Sequence, residues 1–469
     1  MKLLDTKKVH MIGIKGVGMT MLAQYLVEKK IKVSGSDVSE TFMTDETLNK
    51  FKIPVKKGFS KENIPHVVDL IIYSTAYNKN NNPELAFALQ KMPKRVISYA
   101  KALSQIFNQS YGIAVVGSHG KTTTTAWLGY VLYKSFLSPT VMVGAKVPQF
   151  DGFALIGDSN YLIAEIDEYQ NKLKHFEPRA VLLNNIDYDH PDFFPTQESY
   201  EQVFIDFIKK IPSNGFLIAN FDDEVVRRLA PVNCRGRIIS YGINEAASYI
   251  AYDIKVYGQK QYFKVKLGVN DFNEEIKEDN NDLGEFCISL AGRHNIYNAL
   301  AVIAASIELN VSLTNIRKYL EEFKGTERRM QFMGKYRGAF VFDDYAHHPT
   351  EIKKTIEGAR EFYPNKKLVV VFHPHTFTRT KALFDDFAKN LSLADKIIIL
   401  DIYGSARERQ GGVHSRDLVA KIKENGGNAH YISDLESAEN YLRSDLSPND
   451  LVILMGAGDV FRIGENLLK

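Results

Sequence analysis

Three observations predict an α/β chain of three domains. Short aliphatic runs alternate with helical periodicity along most of the sequence, most regularly from Phe340 onward, as in parallel βαβ units. Two of these runs break into glycine-rich turns just ahead of a helix, at Gly13–Gly18 and at Gly117–Gly120. A length of 469 residues also suggests about three domains of ordinary size. The first and last segments read as Rossmann-like units. The central one reads as a P-loop-type unit on a mixed or parallel sheet. The expected boundaries are 1–108, 109–324 and 325–469.

Charge and cysteine content narrow the class of protein. Fifty-nine basic residues face 56 acidic ones, a net charge of +3, which argues against a general nucleic-acid or membrane-surface binder. Any anion must be bound locally. Cys234 and Cys287 are the sole cysteines, so neither a disulfide framework nor a thiolate metal site is expected. The apolar stretch from Val9 to Ile14 is too short for a signal peptide, and no window approaches 18 uninterrupted apolar residues. The expectation is a cytoplasmic protein with no membrane insertion.

The first segment opens with a strand-like run, Val9-His-Met-Ile-Gly-Ile-Lys-Gly-Val-Gly18, before an apolar helix through Met21, Leu22, Tyr25 and Leu26. Its spacing is G-x-x-G-x-G, with Lys15 where a dinucleotide fingerprint has its second glycine. A second strand at Ile31–Val33 leads to Asp37, about 20 residues on, where such folds read a ribose. Further strands are expected at Leu70–Tyr73, ending in Ser74, and near Val96. The turn either carries a nucleotide diphosphate on the helix N-terminus or serves helix–sheet packing alone.

The central segment contains Ala114-Val-Val-Gly-Ser-His-Gly-Lys-Thr-Thr-Thr-Thr125, which reads as a phosphate cradle. Gly117 and Gly120 let the backbone approach an anion, Lys121 adds a charge and Thr122 offers a hydroxyl to a cation. Val115 stands where the G-x-x-x-x-G-K-[ST] pattern needs its first glycine, so a plain strand-to-helix turn is the alternative. Trp127 on the following helix is expected in the core. The runs Tyr161–Glu168, Ala180–His190 and Phe216–Asn220 each start as a strand and end in polar groups, the edge where open α/β sheets bind ligands. Glu165 and His190, with Thr122, form a set that could hold one or two magnesium ions. A strand-end carboxylate that caps a helix and a satisfied loop histidine are the alternatives.

From Ala246 to Glu285 the sequence is polar and alternating, as in a peripheral hairpin or two. His294, Asn295 and Asn298 then open an apolar helix, either as caps or as readers of a purine edge. The last segment alternates strands at Phe340–Asp344, Leu368–Phe372, Ile397–Asp401 and Leu451–Met455 with helices at Thr350–Phe362 and Thr380–Leu391. His347, His348, His373 and His375 fall in the first two strand-end loops, a density that scattered core histidines do not explain.

Seven stretches in this order resemble the motifs of the Mur ligase family, the ATP-dependent amide-bond-forming enzymes of peptidoglycan synthesis. They are the glycine turn after Met11, Gly117-Ser-His-Gly-Lys-Thr-Thr123, Glu165-Ile-Asp-Glu168, Asn185-Ile-Asp-Tyr-Asp-His190, Gly292-Arg-His-Asn-Ile-Tyr-Asn-Ala-Leu300, Arg328-Arg329 and Asp343-Asp-Tyr-Ala-His-His-Pro-Thr-Glu-Ile352. The last of these, with Pro374-His-Thr-Phe-Thr-Arg-Thr380 and Asp401-Ile-Tyr-Gly-Ser-Ala-Arg-Glu408, is most similar to members that add L-alanine to UDP-N-acetylmuramate.

The resemblance implies UDP on the first domain, ATP on the second and the amino acid on the third. It implies ATP contacts from Gly117, Ser118, Gly120, Lys121, Thr122, Thr123, His294, Asn295, Asn298, Arg328 and Asp344. UDP-substrate contacts would come from Gly16, Val17, Gly18, Asp37, Ser74 and His119, and Mg2+ would take Thr122, Glu165 and His190. Arg329, His347, His375 and Arg379 would meet the amino acid or an acyl phosphate, with Lys121, Glu165, His190 and His347 in the chemistry. Lys15, Thr376 and the stretch after Glu168 depart from the usual forms. The implied protein is a monomer or homodimer. Rival readings are a tripeptide-adding recycling ligase of the same family, an NAD-dependent dehydrogenase and a non-enzymatic nucleotide-binding regulator.

Overall fold

The computed structural model describes residues 3–190, 193–268, 281–404 and 411–469. The chain forms two compact units. One comprises Met1–Ile186, Glu201–Tyr241 and Ala301–Tyr319, and the other Asp187–Tyr200, Gly242–Leu300 and Leu320–Lys469.

The first unit begins with a parallel sheet of β1 (Lys8–Ile12), β2 (Lys32–Asp37), β3 (Val55–Lys57), β4 (Leu70–Tyr73) and β5 (Val96–Ser98), in the order β3-β2-β1-β4-β5. The order reverses beside β1, so the crevice of this sheet opens at the carboxyl ends of β1 and β4. Both ends carry the residues expected there, the glycine turn and Ser74.

A second sheet of the same unit comprises β6 (Tyr111–Val116), β7 (Thr140–Val147), β8 (Gly152–Leu155), β9 (Tyr161–Glu165), β10 (Ala180–Leu183), β11 (Phe216–Asn220) and β12 (Arg237–Gly242). Their order is β12-β11-β10-β6-β9-β7-β8, parallel except for β8. Here β6 lies between β9 and β10, which places the cradle that follows it at the switch point of the sheet. Trp127, on the helix Lys121–Lys134, is fully buried, as expected. The two sheets of this unit are joined through the helix Val17–Glu28, which packs against β7 and β8. Buried Gln24 donates through Nε2 to the Ala154 carbonyl at 3.0 Å, and Lys146 pairs with Glu46 at 2.8 Å.

The second unit contains the antiparallel strands β13 (Tyr249–Tyr257), β14 (Lys260–Leu267) and β15 (Asp282–Ile288), in accord with the expected hairpins; residues 269–280 lie outside the described set. It also contains β16 (Gln331–Tyr336), β17 (Ala339–Asp344), β18 (Lys367–Phe372), β19 (Lys396–Ile399), β20 (Ala429–Tyr431) and β21 (Asp450–Met455). Their order is β16-β17-β21-β18-β19-β20, parallel except for the edge strand β16. Successive residues of β18 enter opposite cores. Leu368, Val370 and Phe372 pack with Ile352, Ile356 and Phe387, while Val369 and Val371 pack with Leu442, Val452 and Ile463. A strand covered on both faces buries every residue, which is why its sequence reads as an unbroken apolar run.

The helix expected over Thr380–Leu391 is two helices, Phe377–Ala382 and Phe384–Leu391, separated by Leu383 at φ −115° and ψ 28°. The motif Asp401–Glu408 lies partly in residues 405–410, outside the described set. Trp127→Ala removes the largest side chain of the central core and is expected to cost about 3–5 kcal/mol. Denaturant unfolding followed by circular dichroism checks this, with Val232→Ala, 78% exposed, as a near-neutral control.

Candidate functional site

In the first glycine turn the strained conformation falls on Gly13, at φ +79°, whose N–H donates to the Ser36 carbonyl at 2.9 Å. Gly16 has an ordinary φ of −59° and stands at the N-cap of the helix Val17–Glu28 with no side-chain cap, leaving the first-turn N–H groups at Val17 and Gly18 for an anion. Two tyrosines that the sequence reading passed over bracket the turn. A Cβ on Gly13 would stand 2.7 Å from the Tyr77 ring, and one on Gly18 would stand 2.7 Å from the Tyr99 ring.

Lys15 fits because the left-handed position belongs to Gly13. Its ammonium donates to the Glu40 carbonyl at 2.6 Å, lies 3.3 Å from Asp45 and passes over the Phe42 ring, so the side chain ties the turn to the segment after β2. The Asp37 carboxylate accepts the backbone N–H groups of Lys15 at 2.6 Å and Val38 at 2.8 Å. Burial pushes its pKa up against those two bonds. Ser74 follows β4 and accepts the Ala76 N–H at 3.3 Å.

The cradle is held from outside by asparagines. Gly117 has φ +127°, and a Cβ there would stand 2.7 Å from the Asn185 carbonyl oxygen, so neither the conformation nor the space admits a side chain. Ser118 N–H donates to the Asn185 carbonyl at 3.2 Å, and His119 N–H donates to Asn185 Oδ1 at 2.8 Å. Asn185 Nδ2 returns a bond to the His119 carbonyl at 3.1 Å; Asn184 Nδ2 donates to Thr124 Oγ1 at 3.0 Å. Gly120, at φ +79°, caps the helix Lys121–Lys134 without a side chain, which leaves the first-turn N–H groups at Thr122 and Thr123 for an anion. The Lys121 ammonium donates to the carbonyls of Gly117 and Ser118 and lies 3.4 Å from buried Glu168.

Thr122 and Glu165 come together. The Thr122 hydroxyl donates to Glu165 Oε1 at 2.9 Å, and the Gly144 N–H donates to Oε2 at 2.8 Å. A Cβ on Gly144 would stand 2.6 Å from that carboxylate, so β7 contributes a backbone group where no side chain fits. A hydroxyl beside a carboxylate is hard-oxygen chemistry that suits magnesium. His190 belongs to the second unit, in the left-handed region at φ +58°, with its Nε2 3.7 Å from Asp189.

In the second unit Asp189 also receives Arg379 at 3.3 Å. Burial pushes the Asp189 carboxyl up, but Arg379, His190 and His348 together hold it well below the usual carboxylate range. His347 Nδ1 lies 3.0 Å from the Tyr345 carbonyl, and its backbone N–H donates to Glu351 at 3.2 Å. Burial lowers its pKa to about 3, with Glu351 opposing and Arg379 reinforcing the shift. The rings of His347 and His375 are 6.4 Å apart, and His375 stacks on Tyr403 at 5.7 Å. Thr376 is held at φ +69°, an unusual conformation for a β-branched residue, where it caps the helix Phe377–Ala382.

Arg328 is enclosed. Its Nε donates to Asp343 at 3.0 Å and its terminal nitrogens to the carbonyls of Gly456 and Ala457, between the rings of Tyr345 and Phe461. Burial raises Asp343 to about 6 despite this partner. Asp344 accepts the N–H groups of Met330 at 2.8 Å and Ala346 at 2.7 Å. Arg329 lies 3.6 Å from Glu351. On the helix Arg293–Glu308, Asn295 donates to the Ala291 carbonyl at 2.7 Å and contacts His294 at 3.2 Å, while Asn298 donates to Asn295 Oδ1 at 3.0 Å.

Sequence models of three Mur ligase domains match consecutive stretches: the family's "catalytic domain" at 8–111, the "middle domain" at 115–306 and the "glutamate ligase domain" at 328–458. The UDP-N-acetylmuramate–L-alanine ligase of Desulfitobacterium hafniense is 37% identical over 462 residues, covering 98% of this chain and 99% of the relative. That of Acetivibrio thermocellus is 40% identical over 473 residues, covering 99% and 96%. Among solved structures, the UDP-N-acetylmuramate–alanine ligase of Thermotoga maritima superposes with a TM-score of 0.81 at 26% identity, covering 98% of each chain. A murein peptide ligase from Psychrobacter arcticus shares the fold, with a TM-score of 0.72 at 23% identity and 98% of each chain covered.

The two glycine turns differ in what they tolerate. Gly117→Ala is expected to lose at least about 2 kcal/mol through its conformation and the Asn185 clash, whereas Gly16→Ala stays within about 1 kcal/mol. Denaturant midpoints of the two variants check the contrast. His347 has an acid-side signature: with a folded pKa near 3 against an ordinary 6.5, it contributes stability that is present above pH 6.5 and lost as pH falls toward 3. The melting temperature of His347→Asn is expected to fall less steeply than that of wild type between pH 6.5 and 4.

Proposed function

Because the chain belongs to the Mur ligase family, we propose that it joins L-alanine to the lactyl carboxylate of UDP-N-acetylmuramate with cleavage of ATP to ADP and phosphate, in the synthesis of peptidoglycan precursor. The observation that carries the substrate reading is identity of 37–40% along essentially the whole chain to ligases of that name. The cradle after β6, with the Thr122–Glu165 pair beside it, is consistent with the phosphoryl-transfer half of the reaction. Family membership sets aside the dehydrogenase and regulator readings.

A carboxylate does not accept an amine directly, because oxide is a poor leaving group and the negative charge repels the nucleophile. In the proposed sequence a carboxylate oxygen attacks the γ-phosphorus and the bond to ADP breaks, leaving an acyl phosphate. The alanine nitrogen then attacks the acyl carbon, phosphate leaves and the nitrogen gives up a proton. Gly117 to Thr123 would cradle the phosphates, and Lys121 would leave its loop carbonyls to meet the charge that develops on the transferred group. Thr122 and Glu165, with His190, would hold magnesium, which supplies charge neutralisation on the phosphate oxygens. His294, Asn295 and Asn298 would face adenine, with Asp344 and Arg328 also on the nucleotide. Gly16, Val17, Gly18, Asp37, Ser74 and His119 would receive the UDP portion, and Arg329, His347, His375 and Arg379 the amino acid and acyl phosphate.

We assign domains to 1–108, 109–324 and 325–469; the ends of the matched family stretches at 111, 115 and 328 support these divisions. Among the described residues no helix is long and apolar enough to cross a membrane. The proposed location is the cytoplasm and the proposed state a monomer or homodimer.

Phosphate release measured with ATP, magnesium and UDP-N-acetylmuramate, with alanine, glycine, serine or L-Ala-γ-D-Glu-meso-diaminopimelate as acceptor, tests the proposal. Alanine is expected to give the highest kcat/KM, and preference for the tripeptide would overturn the assignment. Lys121→Ala is expected to lower kcat by at least about a hundredfold, because the cation acts where charge develops.

A further inference from the structure

We propose that the Tyr99 hydroxyl is a substrate-binding group that donates a hydrogen bond to the acid-bearing sugar end of the UDP substrate, between its diphosphate and its reacting carboxylate. The inference rests on the reading of the first domain as the UDP-substrate domain. No stretch that the sequence reading singled out for chemistry contains Tyr99.

Its position comes from the sheet. Tyr99 is the first residue of the helix Tyr99–Phe107, directly after β5, and so stands at the same carboxyl edge as the glycine turn after β1 and Ser74 after β4. Ser98 caps that helix by accepting the Lys101 N–H at 3.4 Å, which sets where the chain turns and where the Tyr99 side chain starts. The ring lies against Gly18: a Cβ on Gly18 would stand 2.7 Å from Cζ and 2.8 Å from the hydroxyl. The absence of a side chain at position 18 therefore lets the phenol oxygen itself reach the first turn of the helix Val17–Glu28.

The carboxylates of Glu165, at the end of β9 in the second sheet, and of Asp167, two residues after it, act electrostatically on the same phenol. Thr122, on the cradle helix, is hydrogen-bonded to Glu165 at 2.9 Å, so the carboxylate that acts on the phenol is one that touches the cradle. A molecule that rests its diphosphate on the turn has the phenol beside it as it extends a carboxyl group toward the cradle. A phenol with its ordinary pKa of about 10 is neutral at physiological pH and offers its O–H as a donor. A neutral donor suits this passage, where a third carboxylate beside Asp167 and Glu165 would repel an acidic substrate.

Titration calorimetry of Tyr99→Phe against UDP-N-acetylmuramate and against UDP tests the proposal, because Phe keeps the ring on Gly18 and removes only the hydroxyl. The expected result is about a tenfold rise in Kd for UDP-N-acetylmuramate, with UDP affinity unchanged within a factor of about two. In steady state KM for UDP-N-acetylmuramate should rise while KM for ATP does not. Unchanged binding of UDP-N-acetylmuramate overturns the proposal, as does an equal loss for both ligands, which would mean that the residue serves the turn alone. If wild-type protein bound neither ligand, the reading of the first domain would fall and this inference with it.

Discussion

A backbone N–H left open for an anion cannot also hold its own loop in shape, and this constraint bears on the architecture around Gly117–Gly120. Gly117 and Gly120 lie in the left-handed region, where the backbone gains nothing from side-chain packing. The loop is fixed instead by the neighbouring strand end. Asn185 takes the N–H groups of Ser118 and His119 and returns a bond to the His119 carbonyl, while Asn184 reaches Thr124. Asn220, at the end of β11, donates to the Asn184 carbonyl at 3.0 Å and extends the brace one strand further. The N–H groups at the head of the helix Lys121–Lys134 are thereby left for a ligand.

The same logic places Glu165. A carboxylate that is to hold a cation, the role proposed for Glu165, needs a defined orientation beforehand, and two neutral donors from different elements supply one: the Thr122 hydroxyl from the helix after β6 and the Gly144 N–H from β7. Gly144 sits on the strand that packs against the helix Val17–Glu28, so the first glycine turn and the Glu165 carboxylate are linked through one layer of structure. The two sheets of the first unit are joined through Gln24, which bonds Ala154. Packing between them sets the spacing of the turn and the cradle, which a substrate anchored at both would have to match.

The parts legible in the sequence are those where one physical signal dominates. Buried parallel strands such as β18 and β21 read as unbroken aliphatic runs because both faces are covered, and the polar residues that follow them lie at the carboxyl edge of the sheet, as expected. The edge strand β3 and the interrupted strand β7 did not read. In β3 two of the three residues are exposed lysines, and β7 carries Gly144 and Lys146 within its run, so neither shows the expected pattern. The break at Leu383 has neither glycine nor proline to announce it. Thr122 and Glu165, grouped with His190 from residue type alone, are hydrogen-bonded to each other. Gly144, Tyr77 and Tyr99 were not found, because a backbone N–H and a ring seated on a glycine are three-dimensional relations with no spacing rule. The glycines at 13 and 18 were the available signal, since space kept free of a Cβ is space that something else fills.

The electrostatics of the second unit limit what His347 can do in the proposed reaction. Its Nδ1 faces the Tyr345 carbonyl, and a hydrogen bond there requires the proton on Nδ1, which leaves the lone pair on Nε2. Glu351 favours the imidazolium, yet burial and the nearby Arg379 outweigh it and the pKa settles near 3. The ordinary value for an α-amino group is about 8, well above that of a ring held so low, so a proton passed from alanine to this ring would move uphill. A group that weak is poorly matched to general-base work at neutral pH. It remains a competent hydrogen-bond acceptor, able to orient an amine N–H without taking the proton. In the proposed reaction His347 would position the nucleophile, and the proton would leave the nitrogen only after the bond to carbon has begun to form and made it acidic.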